Sequence, residues 1–206
     1  MVEVISNNDP EVILKKEEYM AYIDEHKNNV LKAFDNLLNK VILKGNTKLE
    51  KIMRDWSLES ADLKYHDLSK YTQVEFDAYR RKFHPTTSEK QEDDQEKLKI
   101  IDEQFEEAWF HHYTSNNHHP AYWTHVNENG EISRTPFPAR DMPIETIIHM
   151  ICDWEAMSIK FGGTTIEWYI SKAHKERKNM SKNTIKVLED LLKEIYSYDG
   201  EFNYDE

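Results

Sequence analysis

Five glycines and six prolines in 206 residues are too few turn formers for a many-stranded sandwich or barrel, which needs a turn about every 8–12 residues. The chain must build its core from long helices, and the expected fold class is all-α. Apolar spacing supports this. From about Glu11 to Lys44, residues Tyr19, Tyr22, Ile23, His26, Val30, Phe34, Leu37 and Val41 recur at steps of three and four, which predicts one long amphipathic helix stopped near Gly45. Further helices are expected over Lys48 to Asp55, from near Ser60 through LKYHDLSKY, and around Phe76, Tyr79, Arg80 and Phe83 before His84-Pro85. Four more follow: Gln95 to Tyr113, a helix begun at Asp141-Met142-Pro143 and ended at Gly162-Gly163, and the pair Thr165 to Arg177 and Ser181 to Tyr198.

One stretch departs from helical spacing. Tyr122-Trp123-Thr124-His125-Val126, then Asn129-Gly130, then Glu131-Ile132-Ser133-Arg134-Thr135 predict a small β-hairpin within a loop insertion of about 121–143. The polar run from Thr86 to Lys99 reads as a solvated loop and a helix start. The expected organisation is a flexible tail over 1–10, a single helical domain over 11–198 and a disordered acidic tail over 199–206.

Charge narrows the partners. With 27 Lys and Arg against 39 Asp and Glu, the net charge is −12, and duplex nucleic acid, bound mainly through cations on its phosphates, is not an expected ligand. A 12% aromatic content is too high for a disordered acidic chain. No apolar run approaches the roughly 18 residues that span a bilayer, and the amino terminus lacks a basic segment followed by an apolar one. Neither a membrane nor export is expected, and the expected compartment is the cytoplasm. The lone Cys152 excludes an internal disulfide and a thiolate zinc site. Beside Asp153 it reads as a small buried residue, not a nucleophile.

Any metal must therefore be held by His, Asp and Glu. Of ten histidines, five fall in His66-Asp67, His111-His112 and His118-His119. A single histidine on an apolar face is ordinarily a hydrogen-bonded core residue. Here His26, His66, Asp67, His112 and Asp153 all lie on or beside apolar stripes of predicted helices, and unpaired interior carboxylates cost several kcal/mol. A shared divalent ion resolves that cost, and imidazole with carboxylate suits Mn, Fe, Co, Ni or Zn, one ion or two. His149, one turn before Asp153, is either a further ligand or a partner that orients one.

A first-helix histidine, an adjacent His-Asp pair and a distant aspartate, matched here by His26, His66-Asp67 and Asp153, resemble the HD superfamily of metal-dependent phosphohydrolases. The pair lies in His66-Asp67-Leu68-Ser69-Lys70, similar to that superfamily's HDxxK form. The later run from His111 to Pro120 is loosely similar to the second histidine block of members that hold two metals, without their glycine-rich tail. The patterns EHKNNVLKAF, HDLSKY, AWFHHYTSNNHHPAYW and MPIETIIHMICDWEAM also resemble an uncharacterised family of small phage and bacterial proteins, over about residues 19 to 195. That likeness implies an HD-like helical bundle in a bacterial or phage-infected cell and names no reaction.

The resemblance to the HD superfamily implies hydrolysis of a phosphoester by a metal-activated water. His26, His66, Asp67 and Asp153 would hold one ion and His112 a second bridged by Asp67. Lys70 would bind or stabilise a phosphate oxygen. Asn116, His118 and His119 are expected at the mouth of the site, where they complete a metal site, contact substrate or, for His118, protonate a leaving group. His111, Tyr122 and Arg80 join Lys70, Asn116 and His119 as candidate substrate contacts, since aromatic faces stack on bases and arginine binds phosphate. The expected substrate is a small phosphorylated molecule, with a nucleotide as the natural choice. Trp109 and Trp154 read as core. Two alternatives stay open: a di-iron HD-type oxygenase, and a non-catalytic phage protein that binds a nucleotide or host protein around a structural metal.

Overall fold

A computed structural model describes residues 8–60, 62–90 and 95–202, and over them the chain is all-α, with no strand. In order come α1 (Pro10–Leu43), α2 (Thr47–Glu59), a 3-10 turn (Leu68–Tyr71), α3 (Phe76–Phe83), α4 (Gln95–Ser115), α5 (Tyr122–His125), α6 (Ile144–Phe161), α7 (Thr165–Ser171), a second 3-10 run (Ala173–Asn179) and α8 (Lys182–Tyr196). The ends follow local chemistry. The Asn46 side chain accepts from the Leu49 N–H to start α2, Thr164 and Glu167 form a reciprocal capping box on α7, and the Ser181 hydroxyl accepts from the Thr184 N–H on α8. Gly162 and Gly163, at φ 81° and 86°, end α6 in backbone that a side chain would strain.

Two compact units are present. The first comprises the described residues of 1–25 and 67–115, the second those of 26–66 and 116–206. In the first, α3 packs against α4 and the 3-10 turn, around an aromatic core of Tyr19, Ile23, Tyr79 and Ala108 with Phe76 and Phe105 against it. In the second, α6 is the central helix and packs against α2, α7 and α8. Its residues Ile147, Ile148, Ile151 and Cys152 are fully buried. Leu37 and Val41 of α1, Met53 of α2 and Leu188 and Leu192 of α8 belong to the same core. Burying one such aliphatic side chain contributes about 1.5–3 kcal/mol.

Several expectations are corrected. The predicted hairpin is not formed: Tyr122–His125 is a helical turn and only an isolated bridge joins Val126 to Ile132. The Asn129-Gly130 turn is present, with the Gly130 N–H donating to the Asn127 carbonyl at 3.0 Å. Pro136 and Pro138 lack the N–H groups that would lengthen the ladder. The stretch expected to be a helix from Ser60 is a series of turns leading to the 3-10 turn at Leu68–Tyr71. The helix expected over Thr165 to Arg177 changes to 3-10 geometry after Ser171.

The polar run after Thr86 is not wholly solvated, because Thr86 and Glu89 are buried. Glu89 receives both terminal nitrogens of Arg80 and the Thr86 N–H. Residues 91–94 of that run, 1–7 of the expected amino-terminal tail and 203–206 of the acidic tail lie outside the described residues. Within the expected acidic tail, Phe202 packs edge-on to Tyr169, their ring centres 5.3 Å apart.

Candidate metal centre

The second unit gathers four histidines and an aspartate. His26 comes from α1, His149 and Asp153 from α6 at an i, i+4 spacing that sets them on one face, His66 from the turns after α2, and His118 from the turn after α4. All four histidines are buried. The His26 and His66 Nε2 atoms are 3.0 Å apart, and Asp153 Oδ1 lies 3.1 Å from the first and 3.7 Å from the second. On its other side His66 Nδ1 is 2.9 Å from His149 Nε2. The His118 ring lies 4.5 Å from those of both His66 and His149. Burial alone would raise the Asp153 carboxyl, but the hydrogen bond from His26 and the charges of His26, His66 and His118 hold it well below the usual carboxylate range. It is an ionised oxygen donor beside imidazole nitrogens.

This arrangement fits a divalent ion. Ligands at about 2.1 Å from a cation are about 3.0 Å apart at right angles and about 3.4 Å apart at the tetrahedral angle. The separations of 3.0, 3.1 and 3.7 Å among His26, His66 and Asp153 bracket those edges. His66, His118 and His149 form a second group whose ligand atoms lie within 4.8 Å of one another. Since His66 has its Nε2 among the first set, the ring nitrogen facing His149 is the one that fixes the imidazole's orientation. The sequence placed His118 at a mouth, whereas it is 2% exposed and belongs to the donor cluster.

The first unit holds the partners of the aspartate that follows His66. Asp67 adopts left-handed backbone at φ 54°, a conformation Asp tolerates better than most residues yet one that stores of order 1–3 kcal/mol. Its Oδ2 takes an ion pair from Lys70 at 2.6 Å and its Oδ1 lies 3.4 Å from His112 Nε2. Glu75, invisible to the sequence reading, is fully buried at the cap of α3. Its Oε2 is 2.9 Å from His112 Nδ1 and its Oε1 2.7 Å from His111 Nδ1. Burial would raise this carboxyl, but hydrogen bonds from His112, His111 and Ser69, with the His112 charge, lower it. His111 and His112 diverge by about 100° on α4, yet both reach one carboxylate.

The remaining predicted residues are placed differently. Arg80 is buried and its guanidinium is taken up by Glu89, so it is not offered to a substrate. Asn116 is half-buried and its carbonyl accepts the His119 N–H at 3.1 Å, and half-buried His119 lies 4.4 Å ring to ring from His118. Tyr122 is half-buried against Trp123, ring centres 5.5 Å apart. Trp154 is core as expected, but Trp109 is 43% exposed and stacks on His112 at 5.6 Å. Cys152 is fully buried. No helix among the described residues is long and apolar enough to cross a membrane.

Residues 15–194 match a family of unknown function, DUF5662, and the chain belongs to that family. No curated protein and no solved structure matches it. The expected kinship with an uncharacterised family is met; none of the comparisons supports the HD part of the expectation.

Proposed function

We propose that this chain is a metal-dependent hydrolase of small phosphoesters, with a nucleotide as the substrate class. The observation that carries the reading is the convergence of His26 Nε2, His66 Nε2 and Asp153 Oδ1 at 3.0–3.7 Å in a buried setting. The likeness of His26, His66-Asp67 and Asp153 to HD phosphohydrolases supports the reaction class. A divalent ion held by such donors lowers the pKa of a water to near 7 and polarises a phosphoryl oxygen.

The chain's own residues supply the remainder. His26, His66 and Asp153 are the ligands, and His149 holds the His66 ring through Nδ1, which directs Nε2 toward the other donors. Asp67 and His112 offer a carboxylate and an imidazole in the first unit. Lys70, 13% exposed in its side chain and 2.6 Å from Asp67, carries the ammonium that would bind a phosphoryl oxygen. The net charge of −12 favours a compact, metal-chelated substrate over a long polyanion.

The test is elemental analysis of the wild type, His66→Ala and Asp153→Asn after loading with Mn, Fe, Co, Ni or Zn. A panel of nucleoside mono-, di- and triphosphates, cyclic nucleotides and p-nitrophenyl phosphate follows. Stoichiometric metal lost in both variants, with turnover lost in parallel, supports the proposal. Folded protein that takes up no ion, or iron-loaded protein that consumes oxygen and cleaves no phosphoester, overturns it.

A further inference from the structure

We infer that Glu75 is a positioning residue that fixes the tautomer and aim of His112, so that His112 Nε2 faces Asp67 as a metal-ligating lone pair. This rests on the metal reading above and concerns a residue of the first unit outside every motif of the sequence. An ionised carboxylate can only accept, so the contacts of Glu75 Oε2 with His112 Nδ1 at 2.9 Å and of Oε1 with His111 Nδ1 at 2.7 Å require the proton on Nδ1 of both rings. With Nδ1–H committed, a neutral His112 has its free electron pair on Nε2, the atom 3.4 Å from Asp67 Oδ1. That separation equals the edge of a tetrahedral site with ligands at about 2.1 Å. The ring's plane is set independently: Trp109 stacks on it at 5.6 Å and Tyr79 meets it edge-on at 5.8 Å. Ser69 Oγ, 3.2 Å from His112 Nδ1, closes the same side. Carboxylate–histidine–metal relays of this kind are a recurrent means of orienting a ligand.

The role of His111 follows. It occupies the second oxygen of Glu75, so the carboxylate is held from both sides and cannot rotate away from His112. An amide at position 75 cannot do this, because it has one accepting oxygen and its nitrogen only donates. Glu75→Gln therefore forces either His111 or His112 to carry its proton on Nε2.

The experiment begins with the metal-free, full-length, 15N-labelled wild type at a pH where histidines are neutral, using long-range 1H–15N correlation to read each ring's tautomer. Both His111 and His112 are expected as Nδ1–H forms, and an Nε2–H form of His112 overturns the proposal even if no variant folds. Co2+ titration followed by visible absorption then compares wild type, His112→Ala and Glu75→Gln. The ion lost in His112→Ala is expected to bind about 10–100-fold more weakly in Glu75→Gln, with the His26, His66 and Asp153 ion unchanged. Two ions bound with wild-type affinity in Glu75→Gln overturn the role of Glu75 alone. A wild type that takes up no Co2+ overturns the metal reading itself, whatever the tautomers.

Discussion

Asp153→Asn is the sharpest test of the second unit's donor set, because it removes one charged ligand atom while keeping the side chain's size. In the wild type, an ion present at 100 times its dissociation constant stabilises the folded state by about 2.7 kcal/mol. A domain of this length shifts its melting temperature by about 2–4 °C per kcal/mol, so saturation should raise it by about 5–11 °C. Even partners that only orient a ligand change affinity by about 10–100-fold, and Asp153, the proposed ligand, has its Oδ1 3.1 Å from His26 Nε2. A loss of about 100-fold brings the same metal concentration down to the dissociation constant. The stabilisation then falls to about 0.4 kcal/mol and the shift to about 1 °C. The assay is scanning fluorimetry with and without each metal, in a His112→Ala background so that an ion on the first unit's ligands does not contribute. Equal shifts in the two proteins, or no shift in the wild type with any of the five metals, would refute the assignment of Asp153 as a ligand.

His149→Ala should keep the fold and weaken metal binding by about 10–100-fold, read by competition with a chromogenic chelator, because it frees the His66 ring that its Nε2 holds at 2.9 Å. Glu89→Ala should cost about 3–5 kcal/mol, measured by urea unfolding, since it strips the buried Arg80 guanidinium of its two-oxygen partner. Burial alone would raise the Glu89 carboxyl, but Arg80, the Thr86 N–H and Arg81 hold it below the usual range. Its contribution is therefore full above the ordinary carboxylate pKa of about 4.3 and lost as pH falls through and below it, so Glu89→Gln should flatten the acid limb of the stability curve. The Cys152 thiol, pushed up by burial and by the charges of Glu155 and Asp153, should resist Ellman's reagent in the folded protein and react on unfolding; fast native labelling would contradict its packing. Asp67→Asn, which keeps a side chain suited to left-handed backbone, should leave stability within about 1 kcal/mol of wild type and abolish turnover, whereas Asp67→Ala should also lose about 1–2 kcal/mol to strain.

Elements whose period extends over several turns were legible from the residues alone. The spacing from Tyr19 to Val41 is the buried stripe of α1, and Ile147, Ile151 and Trp154 face the core of the second unit. Short elements were not, because their geometry depends on a few hydrogen bonds and on what packs over them. The Asn129-Gly130 signal located a turn correctly but could not tell a two-residue bridge from a ladder. Leu68–Tyr71 shows the same limit, since LKYHDLSKY has helical spacing, yet residues 62–67 are turns and Asp67, just before the 3-10 turn, takes left-handed backbone.

The candidate site divides along a related line. His26, His66, Asp67, His112 and Asp153 carried their signal in residue type, since buried imidazole and carboxylate on apolar stripes demand partners. Glu75 carried none: it is one acidic residue among 39 Asp and Glu, in a turn with no period, and it meets His111 and His112 of α4 only through the fold. Arg80 is the converse case, a residue whose type suggested phosphate but whose charge is consumed by Glu89 nine residues on. Residue type thus announces a donor, and long-range packing decides whether it faces a ligand, a partner or the core. On that basis the residues that orient a site are the hardest to read from a chain, because their chemistry is ordinary and only their position is not. The tautomer of His112, held by Glu75 and read without any bound ion, is where that distinction becomes measurable in this protein.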